Sequence, residues 1–144
     1  MYNTKGFTIV ELLVVIAIIA ILSSIVLYSI TQYINTSKDA SVGANLATLM
    51  PAGEVWYNSN TYVGFCGSDV VKRAYGQIPK PKFNIDCSSG ATPGLCCSVN
   101  VYGDAWAACA QTFRDDTKAY CVDSRGVQKE IDNSSCTSSI TVCP

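Results

Sequence analysis

The feature that most constrains this chain is an apolar run from Leu12 to Ile30 that contains no charged residue. As an α-helix, which rises about 1.5 Å per residue, the run spans roughly 28 Å, close to the hydrocarbon thickness of a bilayer. It is longer than the apolar core of a cleaved signal peptide, and no convincing small-residue cleavage site follows it before residues 28–35. We therefore predict a membrane-spanning helix that the protein retains.

One carboxylate, Glu11, stands directly before this run. A charged side chain in hydrocarbon is costly, on the order of 2.5–3.5 kcal/mol for Asp at a helix centre on insertion scales. Two interpretations are open. Either Glu11 lies at the membrane interface, where lipid headgroups solvate it, or an opposite charge on another chain neutralises it.

The composition restricts the chemistry that the chain can perform. It contains no histidine, which excludes His-dependent triads, imidazole acid–base relays and histidine-ligated zinc. Its formal net charge of −1 gives no indication of a nucleic-acid or acidic partner. Neither a phosphate-binding loop nor a G-x-S-x-G motif occurs, so we expect no enzyme activity, no catalytic residue and no cofactor.

All eight cysteines lie beyond residue 65. An even, dense set behind an export segment predicts a disulfide framework in an oxidising compartment. A metal site is the alternative, but no C-x-x-C spacing occurs and no histidine can complete a mixed site, so we expect no metal. The adjacent Cys96 and Cys97 should bond different partners, because a vicinal disulfide is strained. The candidate disulfide residues are Cys66, Cys87, Cys96, Cys97, Cys109, Cys121, Cys136 and Cys143.

After the membrane run the apolar residues recur at three- and four-residue steps. This pattern predicts a helix that packs one stripe of side chains on a core. Within the stripe, Leu46, Leu49 and Trp56 are expected to contribute much of the stability of the domain. Pro51 has no N–H for the Ala47 carbonyl, so we expect a kink or a restart of the helix there. The predicted stripe comprises Val42, Leu46, Leu49, Met50, Gly53, Trp56 and Tyr57.

Strand candidates follow in the second half of the chain. They are LCCSVNVYG (95–103) and DAWAACAQTF (104–113), the second leading through a turn into AYCVDSRGVQKEI (119–131). Cys109 and Cys121 are equally far from the centre of that turn, so a hairpin sets them opposite each other and allows a disulfide if they are close enough. The prediction is an α+β protein, with a long amino-terminal helix followed by a small, loop-rich antiparallel sheet.

The segment KGFTIVELLVVIAIIAIL, residues 5–22, resembles the amino-terminal signature of type IV pilins and type II secretion pseudopilins. The resemblance implies that a prepilin peptidase cuts between Gly6 and Phe7 and methylates the new amine on Phe7. Lys5 is then the basic residue before the cut. The resemblance implies that the Phe7 amine, four residues from Glu11, pairs with Glu11 of the same chain in a membrane monomer and with Glu11 of a neighbouring subunit in a filament. Either pairing relieves the buried charge, and the second also fixes the axial register of the apolar helices.

The resemblance also implies an organisation and a fold. Residues 1–6 are a leader, residues 7–30 a membrane or filament-core helix, and residues 31–144 a pilin-like head that includes the amphipathic half of the helix. AYCVDSRGVQKEI and TYVGFC resemble pilin-like segments more weakly. Because pilin-like proteins often close a carboxyl-terminal loop with a disulfide, the resemblance further implies a bond between Cys136 and Cys143.

The function implied is that of a structural subunit of a type IV pilus or a related pseudopilus. Its partners are other pilin subunits, the prepilin peptidase, the assembly platform and, before assembly, membrane lipid. The head lies outside the cytoplasm, with the chain first in the inner membrane and then in a surface or periplasmic filament.

Two alternative functions are compatible with the sequence. A minor pilin at a filament tip would bind DNA or a surface through the basic cluster Lys72, Arg73, Lys80 and Lys82, although a solvated loop explains this cluster more simply. A membrane-anchored ectodomain that never polymerises is the other.

Overall fold

The computed structural model describes residues 6–57, 60–80, 87 and 95–144. The chain divides into two units, Met1–Ile34 and Asn35–Pro144. The elements are α1 (Ile9–Ala47), α2 (Leu49–Trp56), α3 (Asp69–Gln77), β1 (Leu95–Val99), β2 (Trp106–Gln111), β3 (Lys118–Asp123) and β4 (Gln128–Asp132), with short 3-10 turns at Phe65–Gly67 and Asn133–Ser135. The predicted α+β class, a long apolar helix followed by an antiparallel sheet, is confirmed.

The predicted interruption of the amphipathic helix occurs just before Pro51. Helix α1 ends at Ala47 and α2 begins at Leu49, with Thr48 in a turn between them. Proline at position 51 cannot donate a hydrogen bond to the Ala47 carbonyl, and its ring crowds that turn, so the helix restarts instead of continuing. The Thr48 hydroxyl donates to the Asn45 carbonyl at 2.7 Å and so occupies one of the last acceptors of α1.

The amphipathic stripe forms the first core of the head, between the helices and one face of the sheet. Val42, Leu46 and Leu49 are fully buried there, as predicted. The prediction is wrong for Trp56 and Tyr57, which are each 38% exposed. The aromatic residue at the centre is instead Trp106 of β2, because Gly53 leaves room for its indole ring: a Cβ at Gly53 would lie 2.7 Å from the Trp106 Nε1.

Asp39 ties α1 to the sheet. Its carboxylate accepts hydrogen bonds from the backbone N–H groups of Phe113 and, at 3.2 Å, of Arg114, at the start of the β2–β3 connection. Beside it the Lys38 ammonium lies 5.0 Å from the centre of the Phe113 ring, within range of a cation–π contact. These contacts fix the end of α1 against the hairpin, and they join residues about 75 positions apart in sequence.

The sheet is an antiparallel meander in the order β1-β2-β3-β4. Cys109 and Cys121 are directly opposite each other, so the predicted hairpin register is confirmed. The prediction of one strand over residues 119–131 is wrong, because the chain turns back after Asp123 to form β4. Gly126 occupies this turn with φ of +80°, a conformation that favours glycine.

The disulfides are Cys66–Cys97, Cys87–Cys96, Cys109–Cys136 and Cys121–Cys143. Every candidate cysteine is therefore bonded, and Cys96 and Cys97 have different partners. Both predicted pairings, between Cys109 and Cys121 and between Cys136 and Cys143, are wrong. Cys109 and Cys121 do share one face of the sheet, but the carboxyl-terminal segment covers that face and supplies a separate partner for each of them.

Helix α3 was not predicted. Ser68 and Asp69 are nevertheless residues typical of a helix start. The Ser68 hydroxyl accepts a hydrogen bond from the Val71 N–H at 3.4 Å and caps the helix. Val71, Ala74 and Tyr75 then recur at three- and four-residue steps and are buried against the first core.

The carboxyl-terminal segment is held by one buried carboxylate, Asp123 at the end of β3. It accepts hydrogen bonds from the backbone N–H groups of Cys143 at 3.0 Å and of Val127 at 3.2 Å, and it pairs with the Arg125 guanidinium at 2.7 Å. Arg125 also donates to the Cys143 carbonyl at 3.2 Å. Burial opposes ionisation of Asp123, but these donors outweigh it and hold its pKa below the usual range.

Replacing Asp123 with asparagine is expected to destabilise the head by about 1–2 kcal/mol at neutral pH. The figure is low for a charged hydrogen-bond network because Arg125 is half exposed and solvent screens the pair. A lowered carboxyl pKa stabilises the fold above the unfolded-state pKa, and this stabilisation is lost as the pH falls through the folded-state value. The loss should therefore appear below about pH 4, and it should be smaller in Asp123→Asn.

Denaturant unfolding of the detergent-solubilised chain between pH 7 and pH 2 checks this prediction. Asp132→Asn is the matched control, since Asp132 pairs with Lys118 at 2.7 Å on the surface with its side chain 68% exposed. We expect its effect to lie within about 0.5 kcal/mol of zero. Equal losses in both variants would contradict a special role for Asp123.

Candidate functional site at the start of the apolar helix

The first turn of α1 is capped by reciprocal hydrogen bonds between Thr8 and Glu11. Thr8 immediately precedes the helix, and its hydroxyl accepts a hydrogen bond from the Glu11 N–H at 3.3 Å. In return Oε2 of Glu11 accepts from the Thr8 backbone N–H and from the Thr8 hydroxyl, each at 2.8 Å. This is a capping box, which satisfies donors that the start of a helix otherwise leaves free. The positive end of the helix dipole also stabilises a carboxylate in the first turn.

This local role of Glu11 was not predicted: the expected partners of its carboxylate were lipid headgroups at the interface or a charge on another chain. The pattern Thr-x-x-Glu before an apolar run is itself the sequence signal of a capping box. One carboxylate oxygen is thereby used within the chain. The other, Oε1, accepts no hydrogen bond from the residues that the structure describes, so it can receive a further donor.

The Gly6–Phe7 junction lies just ahead of this turn. Gly6 and Phe7 precede the helix and are exposed, Phe7 with 76% of its surface accessible. A Cβ placed on Gly6 would meet no atom within 4 Å, so the described residues leave open space on that side. Cleavage here would create an ammonium on Phe7, adjacent to Thr8, whose N–H already bonds Glu11.

The helix beyond Glu11 exposes apolar side chains on every side. All residues from Gly6 to Ile34 are exposed, so their burial depends on a medium or a partner outside the chain. The helix is long and apolar enough to cross a membrane. Three of its hydroxyls fit such an environment, because each donates to a carbonyl of its own helix: Ser24 to Ile21 at 2.7 Å, Ser29 to Ile25 at 3.3 Å and Thr31 to Leu27 at 3.2 Å.

The comparisons with known proteins concern this segment. Residues 1–27 match the family model of the prokaryotic N-terminal methylation motif. The chain carries the signature of type IV pilins and pseudopilins. No curated protein and no solved structure matches the chain.

The methylation motif and the apolar helix together support a pilin-type subunit that is anchored in a membrane. The signature points to a structural protein rather than an enzyme. It implies processing by a prepilin peptidase and assembly with other pilin subunits. The match covers residues 1–27, which include the first part of α1, and it does not extend to the sheet or to the other helices.

The structure describes three of the four residues of the predicted basic cluster. Lys72 and Arg73 are exposed on α3, and Lys80 is exposed just after it, whereas Lys82 lies outside the described residues. The Lys72 ammonium lies 3.9 Å from an Asp69 carboxylate oxygen, so part of its charge is offset locally. Tyr75, which the sequence places among these cations, is buried in the first core and cannot stack on a base. This geometry does not favour a nucleic-acid interface.

A cavity of about 660 Å³ lies between α2 and α3. Its described lining is mainly apolar and contains no titratable side chain, so it offers no group for acid–base catalysis. The lining residues are Pro51, Ala52, Val55, Trp56, Thr61, Val63 and Val70.

Proposed function

We propose that this chain is a structural subunit of a type IV pilus or a related pseudopilus. The single observation that carries the proposal is the methylation motif at residues 1–27, on a helix whose side chains from Ile9 to Ile34 are exposed. Such a helix has two environments that suit it, lipid before assembly and the helices of other subunits afterwards. The proposed location is the inner membrane, with the head outside the cytoplasm, and then a filament.

The proposed mechanism begins with cleavage between Gly6 and Phe7. The new ammonium on Phe7 needs an anion when it leaves water, and Glu11 has one oxygen, Oε1, that the capping box does not use. The ammonium of one subunit pairs with Glu11 of its neighbour. This contact neutralises both buried charges and fixes the axial register of helices whose apolar surfaces alone would slide.

When the helix leaves lipid and packs against other helices, the apolar surface that it exposes to water hardly changes. Assembly therefore gains little from the hydrophobic effect. Close packing and the proposed charge pair therefore decide the order of the subunits. Extraction of the helix from the membrane requires work, which the pilin signature implies comes from an assembly machine.

Mass spectrometry of the mature protein tests the proposal. We expect an amino terminus at Phe7, methylated on its amine, and the absence of residues 1–6. Gly6→Leu should retain the leader and be missing from sheared filaments, because a bulky side chain at the junction blocks the peptidase. Asn3→Ala, in the same leader but away from the junction, is the matched control and should be cleaved normally.

Two results would contradict the proposal in different ways. A mature protein that still begins with its leader would indicate a membrane-anchored ectodomain. A cleaved and methylated protein that remains entirely in the membrane fraction, while other pilins of the same cell assemble, would exclude a filament subunit.

A further inference from the structure

Three half-cystines form a row across the sheet on the face that the carboxyl-terminal segment covers. Cys96 on β1 is directly opposite Cys109 on β2, and Cys109 is directly opposite Cys121 on β3. All three side chains are fully buried in a second core, which lies between this face of the sheet and the carboxyl-terminal segment and also contains Ala107 and Ile131. Each is bonded to a cysteine outside these strands, so the row joins three separate disulfides side by side.

Two of these disulfides lie close to each other. The sulfur atoms of Cys96, Cys109 and Cys136 are all within 4.8 Å of one another, although Cys96 is bonded to Cys87 and the other two to each other. The Cys96 sulfur also lies 3.7 Å from the Cys136 carbonyl oxygen. A thiolate released at Cys96 would therefore face the neighbouring disulfide bond.

We propose that these four cysteines, Cys87, Cys96, Cys109 and Cys136, form a site of thiol–disulfide exchange inside the head. The co-reactant is a dithiol reductant. Its first thiolate attacks the Cys87 sulfur and breaks the Cys87–Cys96 bond, which leaves a mixed disulfide on Cys87 and a thiolate on Cys96.

In the second step the Cys96 thiolate attacks the Cys109 sulfur. The Cys96–Cys109 bond forms, the Cys109–Cys136 bond breaks, and the electron pair leaves on the Cys136 sulfur, which takes up a proton. The second thiol of the reductant then displaces Cys87 as a thiol. The balance is one dithiol oxidised, one protein disulfide reduced, and free thiols at Cys87 and Cys136.

Attack on Cys109 is favoured over attack on Cys136 by the sheet register. Directly opposite residues in an antiparallel pair have Cα atoms about 4.5–5.5 Å apart, within the range of disulfides. The new bond therefore joins β1 to β2 without moving either strand. The carboxyl-terminal segment stays attached through Cys121–Cys143 and the Asp123 hydrogen bonds, while Cys136 is released from the sheet.

Limited reduction of the purified full chain in detergent tests the proposal. Increasing amounts of dithiothreitol are followed by alkylation, digestion and mass spectrometry. The half-buried Cys66–Cys97 bond serves as an internal reference on the other face of the sheet. Among molecules alkylated at Cys87, we expect Cys136 to be alkylated at least about tenfold more often than Cys96, together with a peptide that links Cys96 to Cys109.

Alkylation of Cys87 and Cys96 together, with Cys109–Cys136 intact, would overturn the proposal. Two variants approach the site from opposite sides. Cys87→Ala leaves Cys96 without its partner, and we expect the free thiol, detected by alkylation, on Cys136 instead. Cys136→Ala leaves Cys109 without its partner, and we expect the alkylated thiol on Cys87 instead. Cys66→Ala is the matched control, and its label should stay on Cys97. Labels that stay on Cys96 and Cys109 in the folded variants would also overturn it.

Discussion

Glu11→Gln is expected to lower the amount of this chain in filaments by at least about tenfold, with membrane insertion and head folding unchanged. Glutamine suits the same position of a capping box, so the hydrogen bonds with Thr8 can persist. Glutamine cannot neutralise the ammonium that we propose on Phe7, so each proposed contact between subunits would bury an unpaired charge. Immunoblots of sheared filaments and of the membrane pool, with the wild-type chain expressed beside the variant, give the ratio.

Thr8→Ala is the matched control for this experiment. It removes the hydroxyl from the capping box, at a cost of about 1 kcal/mol to the start of the helix, but it keeps the Glu11 charge. We expect it to enter filaments at a level near that of the wild type. The opposite outcome, with Thr8→Ala lost and Glu11→Gln retained, would show that Glu11 acts by capping its own helix.

Trp106→Ala is expected to destabilise the head by about 3–5 kcal/mol, because it empties the centre of the first core. The indole is fully buried, with its ring 4.8 Å from that of Phe65 and 6.4 Å from that of Tyr62, centre to centre. It also fills the space that Gly53 leaves on α2. Denaturant unfolding of the detergent-solubilised chain, followed by near-UV circular dichroism, measures the change.

Trp56→Ala is the control of the same residue type in the same head. Trp56 is 38% exposed and donates its indole N–H to the Val63 carbonyl at 3.3 Å. We expect it to cost about 1 kcal/mol. Similar losses for both tryptophans would contradict a core centred on Trp106 and would support the stripe as the sequence predicts it.

The features that the sequence predicted correctly are those with local or periodic signals. The apolar run, the interruption before Pro51 and the opposition of Cys109 and Cys121 all follow from spacing along one element or one hairpin. The burial of Leu46 and Leu49 follows from helical periodicity.

Several of the features that it missed depend on tertiary contacts. The partners of Cys109 and Cys121 are decided by the path of the carboxyl-terminal segment over the sheet, which no spacing encodes. The same holds for Asp39, whose partners lie on the β2–β3 connection. The capping box of Thr8 and Glu11 and the start of α3 at Ser68 are different, since their signals were present in the sequence and were overlooked.

Strand β4 has a consequence for heads that stand close together. It is the last strand of the meander, and no strand among the described residues pairs with its outer edge. The unpaired backbone N–H and C=O groups of an edge strand can pair with a strand of another molecule, and charged side chains on the edge oppose such pairing. Lys129, Glu130 and Asp132 are exposed along this strand. Crowded copies are thereby discouraged from merging into a continuous sheet.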